Sequence, residues 1–70
     1  MKGYEAIGPY GRKIFDETHI RHLSAMGESE RKKYTRDQVK RVKANNDERV
    51  IEVYFKNGDL FKYTPKRTWH

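Results

Sequence analysis

The chain has 70 residues, of which 34% are hydrophobic and 37% are charged, and it contains no cysteine. This length suits one small domain, residues 1–70, with a thin core and a highly solvated surface. The lack of cysteine excludes a disulfide framework, a thiolate zinc site and a cysteine nucleophile. Because short secreted domains usually depend on disulfides, we expect an intracellular, cytoplasmic protein. No apolar run approaches the roughly 20 residues of a membrane span, so we expect no membrane partner.

The positive charge is concentrated in the middle of the chain. Sixteen Lys and Arg against ten Asp and Glu give a net charge of +6, of which residues 28–46 carry +4. A concentrated excess indicates an anionic partner, although a net charge can also serve solubility alone. The candidate nucleic-acid-binding residues are the cations of this segment: Arg31, Lys32, Lys33, Arg36, Lys40, Arg41 and Lys43.

The N-terminal third contains one turn signal, the tetrapeptide Gly8-Pro9-Tyr10-Gly11. The short runs on either side of it are predicted to form a small hairpin, or one strand and a loop. The tetrapeptide is not expected to bind phosphate, because its proline lacks an amide donor.

A helix is predicted over residues 17–26. Asp16 is suited to cap its first turn, and Gly27 is suited to end it in the left-handed region. Apolar residues that recur every three positions would form its buried stripe: Ile20, Leu23 and Met26.

A second helix is predicted over residues 36–45, because Thr35 and Gln38 have the spacing of a capping box. One longer helix that begins near Ser29 is the alternative. Like charges along one helical ridge repel each other, so a phosphate backbone laid along the ridge would stabilise the helix. The ridge consists of three cations: Arg36, Lys40 and Lys43.

The C-terminal third predicts a β-hairpin with strands at residues 50–55 and 60–64, joined at Asn57 and Gly58. A three-residue loop with Gly58 in the left-handed region segregates the apolar side chains onto one face, so we expect that register. Pro65 is expected to end the pairing. The expected partners are Ile51 with Tyr63, Glu52 with Lys62, Val53 with Phe61, and Tyr54 with Leu60.

These elements predict a small two-layer α+β domain, with two short helices packed on a C-terminal antiparallel hairpin. Trp69 is expected to fold back over an edge of the domain, and so thin a core favours marginal stability or a homodimer. The expected core residues are Ile14, Phe15, Ile20, Leu23, Met26, Val39, Val42, Ile51, Val53, Phe55, Phe61 and Tyr63.

The order of helix, helix and hairpin is similar to that of winged-helix DNA-binding domains. This resemblance of element order implies that the second helix enters the major groove. The chain contains no recognisable catalytic, cofactor-binding or metal-binding motif. We therefore expect a small non-enzymatic nucleic-acid-binding module without cofactor or metal, with DNA favoured over RNA.

Three alternatives stay open. The chain could act as a protein-interaction module, such as the small inhibitors of phages, with Tyr10, Tyr54 and Leu60 as anchors. Tyr54 could also stack on unpaired bases, because the expected register points it away from the core. His19 and His22 lie three residues apart and are candidates for metal binding or nuclease chemistry, although a structural zinc normally needs four ligands.

Overall fold

The computed structural model describes all 70 residues and consists of one long helix packed on a three-stranded antiparallel sheet. This architecture confirms the predicted α+β class. No helix combines the length and the apolar character needed to cross a bilayer. The elements are helices α1 (Gly8–Ser24) and α2 (Glu28–Arg31), a 3-10 turn (Arg36–Gln38), and strands β1 (Val39–Asn45), β2 (Val50–Phe55) and β3 (Leu60–Tyr63).

Helix α1 begins at Gly8 rather than at residue 17, so the predicted N-terminal hairpin or strand is wrong. Proline is tolerated in the first turn of a helix because its missing N–H would lack an intrahelical partner there. The Gly-Pro pair therefore starts a helix instead of making a turn. At the other end, Gly27 has a φ of −70° and forms no left-handed cap.

The buried side of α1 also differs from the predicted stripe. Ile20 is 66% exposed, and Leu23 and Met26 are half-buried. The longer helix selects another set of positions, spaced three and four residues apart, as its buried side. These positions are Gly11, Ile14, Phe15, Thr18, His19 and His22.

The second predicted helix is wrong, because residues 39–45 form strand β1. Val39 pairs with Phe55 and Arg41 pairs with Tyr54, so Lys40 is the extra residue of a β-bulge. The bulge places Val39 and Val42 on the same buried face although they lie three residues apart. The capping-box spacing of Thr35 and Gln38, from which a helix was predicted, is followed by the 3-10 turn Arg36–Gln38 only. The longer alternative from Ser29 and the winged-helix order are likewise not observed.

The C-terminal hairpin and its register are confirmed. All four expected pairs between β2 and β3 are present, and Gly58 has a φ of +95°. Regular pairing ends at Tyr63, two residues before Pro65.

Both outer edges of the sheet are partly covered by the chain termini. Lys2 forms a parallel bridge to Arg41 on the free side of β1, and Trp69 forms an antiparallel bridge to Tyr63 beside β3. The predicted return of Trp69 to an edge is therefore observed. Closing both edges limits pairing with other chains.

The core contains most of the expected residues, but it also contains polar groups that were not expected there. His19 donates its Nε2–H to the carbonyl oxygen of Tyr34 at 2.7 Å, and Nδ1 of His22 shares a hydrogen bond of 2.7 Å with the Tyr63 hydroxyl. These hydrogen bonds make the burial of both rings tolerable. The buried apolar cluster comprises Ile14, Phe15, Tyr34, Val39, Val42, Ile51, Val53, Phe55 and Tyr63.

Candidate nucleic-acid interface

The side of the sheet that faces away from α1 is polar, and we call it the outer face. Side chains alternate along each strand, and Ile51, Val53 and Phe55 point toward α1. Glu52 and Tyr54, which lie between these three residues on β2, therefore point outward, and so do the residues that pair with them on β1 and β3. The outer face consists of Arg41, Lys43, Asn45, Glu52, Tyr54, Leu60 and Lys62.

Four cations gather where the outer face meets the free side of β1. We call this group the cationic edge, and it consists of Lys2, Lys40, Arg41 and Lys43. All four side chains are exposed, and none of them forms an ion pair. The cationic edge therefore has four positive charges free to meet an anionic partner.

The backbone holds Lys2 in this group. The Lys2 N–H donates to the Lys40 carbonyl at 3.1 Å, and the Val42 N–H donates to the Lys2 carbonyl at 2.9 Å. Gly3 follows at a φ of +88°, and a Cβ at this position would lie 2.1 Å from the Val42 carbonyl oxygen. Only glycine therefore lets the N-terminal segment approach β1 so closely.

Tyr54 lies on the outer face as expected, and it is half-buried. The guanidinium carbon of Arg41 lies 4.7 Å from the centre of the Tyr54 ring, and the Tyr54 hydroxyl donates to Glu52 at 2.9 Å. This cation–π contact orients the Arg41 side chain on the surface of the sheet. One face of the Tyr54 ring is thus covered by Arg41 and is not free to stack on a base.

Two carboxylates limit the positive surface to one side of the outer face. Hydrogen bonds from Asn45 and Tyr54 lower the pKa of Glu52, which keeps this central carboxylate charged. Glu48 forms an ion pair with Lys62 at 2.7 Å. An anionic ligand is therefore attracted to the β1 side and repelled from the centre of the sheet.

The seven cations that the sequence analysis singled out do not form one surface. The structure brings Lys40, Arg41 and Lys43 together, but the predicted helical ridge does not exist, because Lys40 and Lys43 lie on a strand. Arg36 lies before that strand and pairs with Asp16 at 2.8 Å. Four of the seven candidates therefore lie outside the cationic edge: Arg31, Lys32, Lys33 and Arg36.

Two of those four cations have structural partners close to the end of α1. Arg31 donates to the carbonyl oxygens of Leu23, in the last turn of α1, and Met26, just beyond it. Lys33 pairs with Glu30 at 3.6 Å. Lys32 is exposed and forms no ion pair.

The two histidines considered for metal or nuclease chemistry lie inside the core. His19 is 4% exposed and His22 is 3% exposed, and desolvation lowers the pKa of both. Arg21, the neighbouring cation that a nuclease mechanism with His22 would use to bind phosphate, is exposed while His22 is buried. The two rings therefore have no access to a substrate at the surface.

Lys2 was not among the predicted site residues. It belongs to no periodic pattern in the sequence, and only Gly3, which follows it, indicates a close approach of the backbone to another strand. Comparison with known protein families, with curated proteins and with solved structures gives no match to this chain.

Proposed function

We propose that this protein is a small non-enzymatic module that binds nucleic acid through the cationic edge and the adjoining outer face. The observation that carries the proposal is the gathering of four unpaired cations along one side of β1. Neutralising phosphates with Lys and Arg releases condensed counterions, which supplies most of the affinity of such surfaces. The binding site is thus a strand and its edge, in place of the helix expected from the sequence.

The spacing of the cations suits a phosphate backbone. Arg41 and Lys43 are alternate residues of one strand, so their Cα atoms are about 7 Å apart. A DNA strand carries a phosphate at every nucleotide, so phosphates recur along its backbone at intervals that long Lys and Arg side chains can match. One DNA strand laid along β1 would therefore present phosphates to both side chains, while Glu52 keeps that strand away from the centre of the sheet.

Duplex DNA is favoured over duplex RNA by the shape of the surface. The major groove of B-DNA is about 12 Å wide and admits a two-stranded β-ribbon, whereas the major groove of A-form RNA is deep and narrow. β1 is an outer strand of a three-stranded sheet, and its outward side chains Arg41 and Lys43 are the part of that sheet that would enter the groove. Arg41 is the residue best placed to contact guanine, because the amide of Asn45 already donates to Glu48 and Glu52.

The test compares two triple variants with equal loss of charge. In the first, Lys40, Arg41 and Lys43 are replaced by Ala; in the control, the exposed Lys13, Arg21 and Lys32 are replaced by Ala. Affinity for a duplex of about 20 base pairs is measured by fluorescence anisotropy at several salt concentrations. We expect the edge variant to flatten the plot of log affinity against log salt by about 0.9 for each lost phosphate contact.

The control variant should keep a slope close to that of the parent protein. If both variants lose the same slope, the binding reflects net charge alone and the cationic edge is not the site. If the parent protein binds no duplex and no single strand at low salt, nucleic-acid binding itself is ruled out.

A further inference from the structure

An apolar groove of about 500 Å³ opens between the first half of α1 and the turn that joins β1 to β2. This volume lies within the range of clefts that bind ligands. The groove borders the outer face at Asn45, but none of the four residues of the cationic edge lines it. Its apolar lining includes Ile7, Tyr10, Ile14, Ala44, Val50 and Ile51.

The only charge on the lining of the groove is positive. Arg49 is the only charged residue among those that line it, and no carboxylate does. Arg49 is exposed and forms no ion pair. The nearest acidic residue in the chain, Glu48, is instead paired with Lys62. The groove therefore combines an apolar floor with one unpaired positive charge.

Arg49 is also held in a conformation that costs free energy. Its φ is +58°, in the left-handed region, where a residue with a Cβ is disfavoured. Glycine or asparagine is the usual residue at such a turn position. Arg49 forms no side-chain hydrogen bond and no ion pair that would offset this cost.

We propose that the groove binds an acidic segment of a protein partner, with a large apolar side chain inserted beside Tyr10 and a carboxylate paired with Arg49. Tyr10 is 63% exposed on the wall of the groove and offers an aromatic surface of the kind that dominates protein interfaces. A second copy of this chain is a poor occupant, because two molecules of charge +6 repel each other.

The test uses synthetic peptides as probes. The main probe is a 10-residue fluorescent peptide with six Asp or Glu residues around a central Trp-Leu pair. One control peptide replaces the Trp-Leu pair by Ala-Ala, and another keeps the pair but replaces the acidic residues by Lys. We expect the main probe to bind at least about fivefold more tightly than either control, since an anchor contributes more than about 1 kcal/mol.

Two variants locate the peptide on the protein. Ala44→Leu fills the groove, because Ala44 lies on its half-buried wall, and it should weaken binding by about fivefold or more. Arg49→Gly removes the charge and relieves the left-handed backbone, so it should weaken binding by about twofold to fivefold. The same Arg49→Gly variant should unfold at a higher temperature than the parent, which separates lost binding from lost folding.

The triple Ala variant of Lys40, Arg41 and Lys43 is the matched control and should bind the main probe within about twofold of the parent. This result distinguishes the groove from the proposed nucleic-acid surface, whose failure would leave the groove proposal intact. Equal binding of the acidic peptides with and without the Trp-Leu pair would overturn the proposal, because charge alone would then explain it. Dimerisation in analytical ultracentrifugation that Ala44→Leu abolishes would also overturn it and assign the groove to a second copy.

Discussion

The core of this protein contains a buried histidine, His22, in addition to its apolar side chains. His22 is packed against Trp69 at 4.9 Å and against Phe61 at 4.5 Å between ring centres, and its Nδ1 is hydrogen-bonded to the Tyr63 hydroxyl. This environment favours the neutral ring, and burial lowers the pKa of His22 to about 4. Neutral His22 thus serves as an aromatic core residue whose Nδ1 is hydrogen-bonded.

The first prediction is that acid destabilises the fold through His22. A histidine in the unfolded chain titrates near pH 6.5, whereas His22 in the folded protein titrates at about 4. Between these values the unfolded chain binds the extra proton, so this contribution is fully present above about pH 6.5 and is lost as the pH falls toward 4. The loss amounts to on the order of 3 kcal/mol.

Urea unfolding at several pH values from 7.5 to 4 measures this effect. The variant His22→Phe combined with Tyr63→Phe removes the titrating ring and leaves no unpaired hydroxyl, so its free energy of unfolding should depend less on pH. Tyr63→Phe alone is the control and should retain the dependence. An equally steep dependence in the double variant would contradict the assignment to His22.

At the level of secondary structure elements, β1 depends on the irregularities around it. The bulge at Lys40 turns both Val39 and Val42 inward, and the parallel bridge from Lys2 pairs part of the open side of β1. The same bridge brings the first cation of the edge beside Arg41. The N-terminal segment thus contributes both to the sheet and to the proposed binding surface.

The second prediction concerns Gly3→Ala. An added Cβ would collide with the Val42 carbonyl, so the N-terminal segment should detach from β1 and lose the two backbone hydrogen bonds of Lys2. The expected cost is about 1–3 kcal/mol in the free energy of unfolding. Hydrogen exchange should show that the Val42 amide, which donates to Lys2, loses its protection.

Gly8→Ala is the matched control for this substitution. Gly8 also has a positive φ, of +79°, but an added Cβ meets no atom within 4 Å. This variant carries the backbone strain without the collision, so the Val42 amide should stay protected. Protection of Val42 in the Gly3→Ala protein would show that the N-terminal segment adapts without leaving the sheet.

The whole molecule measures 32 × 23 × 18 Å and has two candidate surfaces, which meet near Asn45. The cationic edge follows the free side of β1, and the groove lies between α1 and the turn that joins β1 to β2. A ligand on Lys2, Lys40 and Arg41 and a ligand beside Tyr10 and Arg49 contact different residues. Their charges can still repel each other, because both proposed ligands are anionic and the protein is thin.

The third prediction is that duplex DNA and the acidic peptide bind at the same time. At an ionic strength of 0.15 M the screening length is about 8 Å, so bound DNA should weaken the binding of the peptide by no more than about twofold. At 0.01 M the screening length grows to about 30 Å, and the mutual weakening should increase. Peptide titration of the protein saturated with duplex measures this, and complete displacement at 0.15 M would indicate a shared site.

Several features of the fold could be predicted because they depend on local chemistry. Asn57 and Gly58 favour a tight turn, and only one register of the hairpin places Val53 and Phe61 together on an apolar face. The concentration of positive charge in the middle segment is likewise a property of composition. The α+β class and the hairpin followed from these local signals.

The rest depended on contacts between distant segments. The bulge in β1 makes a strand look like a helix in sequence, and only pairing with β2 distinguishes the two. Arg36 forms an ion pair with Asp16, twenty residues away, and so lies outside the candidate site. Lys2 belongs to the candidate site because a backbone bridge places it beside Arg41. Composition and local patterning determined how much positive charge this protein carries, whereas the tertiary structure decided which charges stay free, because ion pairs and edge pairing join residues far apart in the chain.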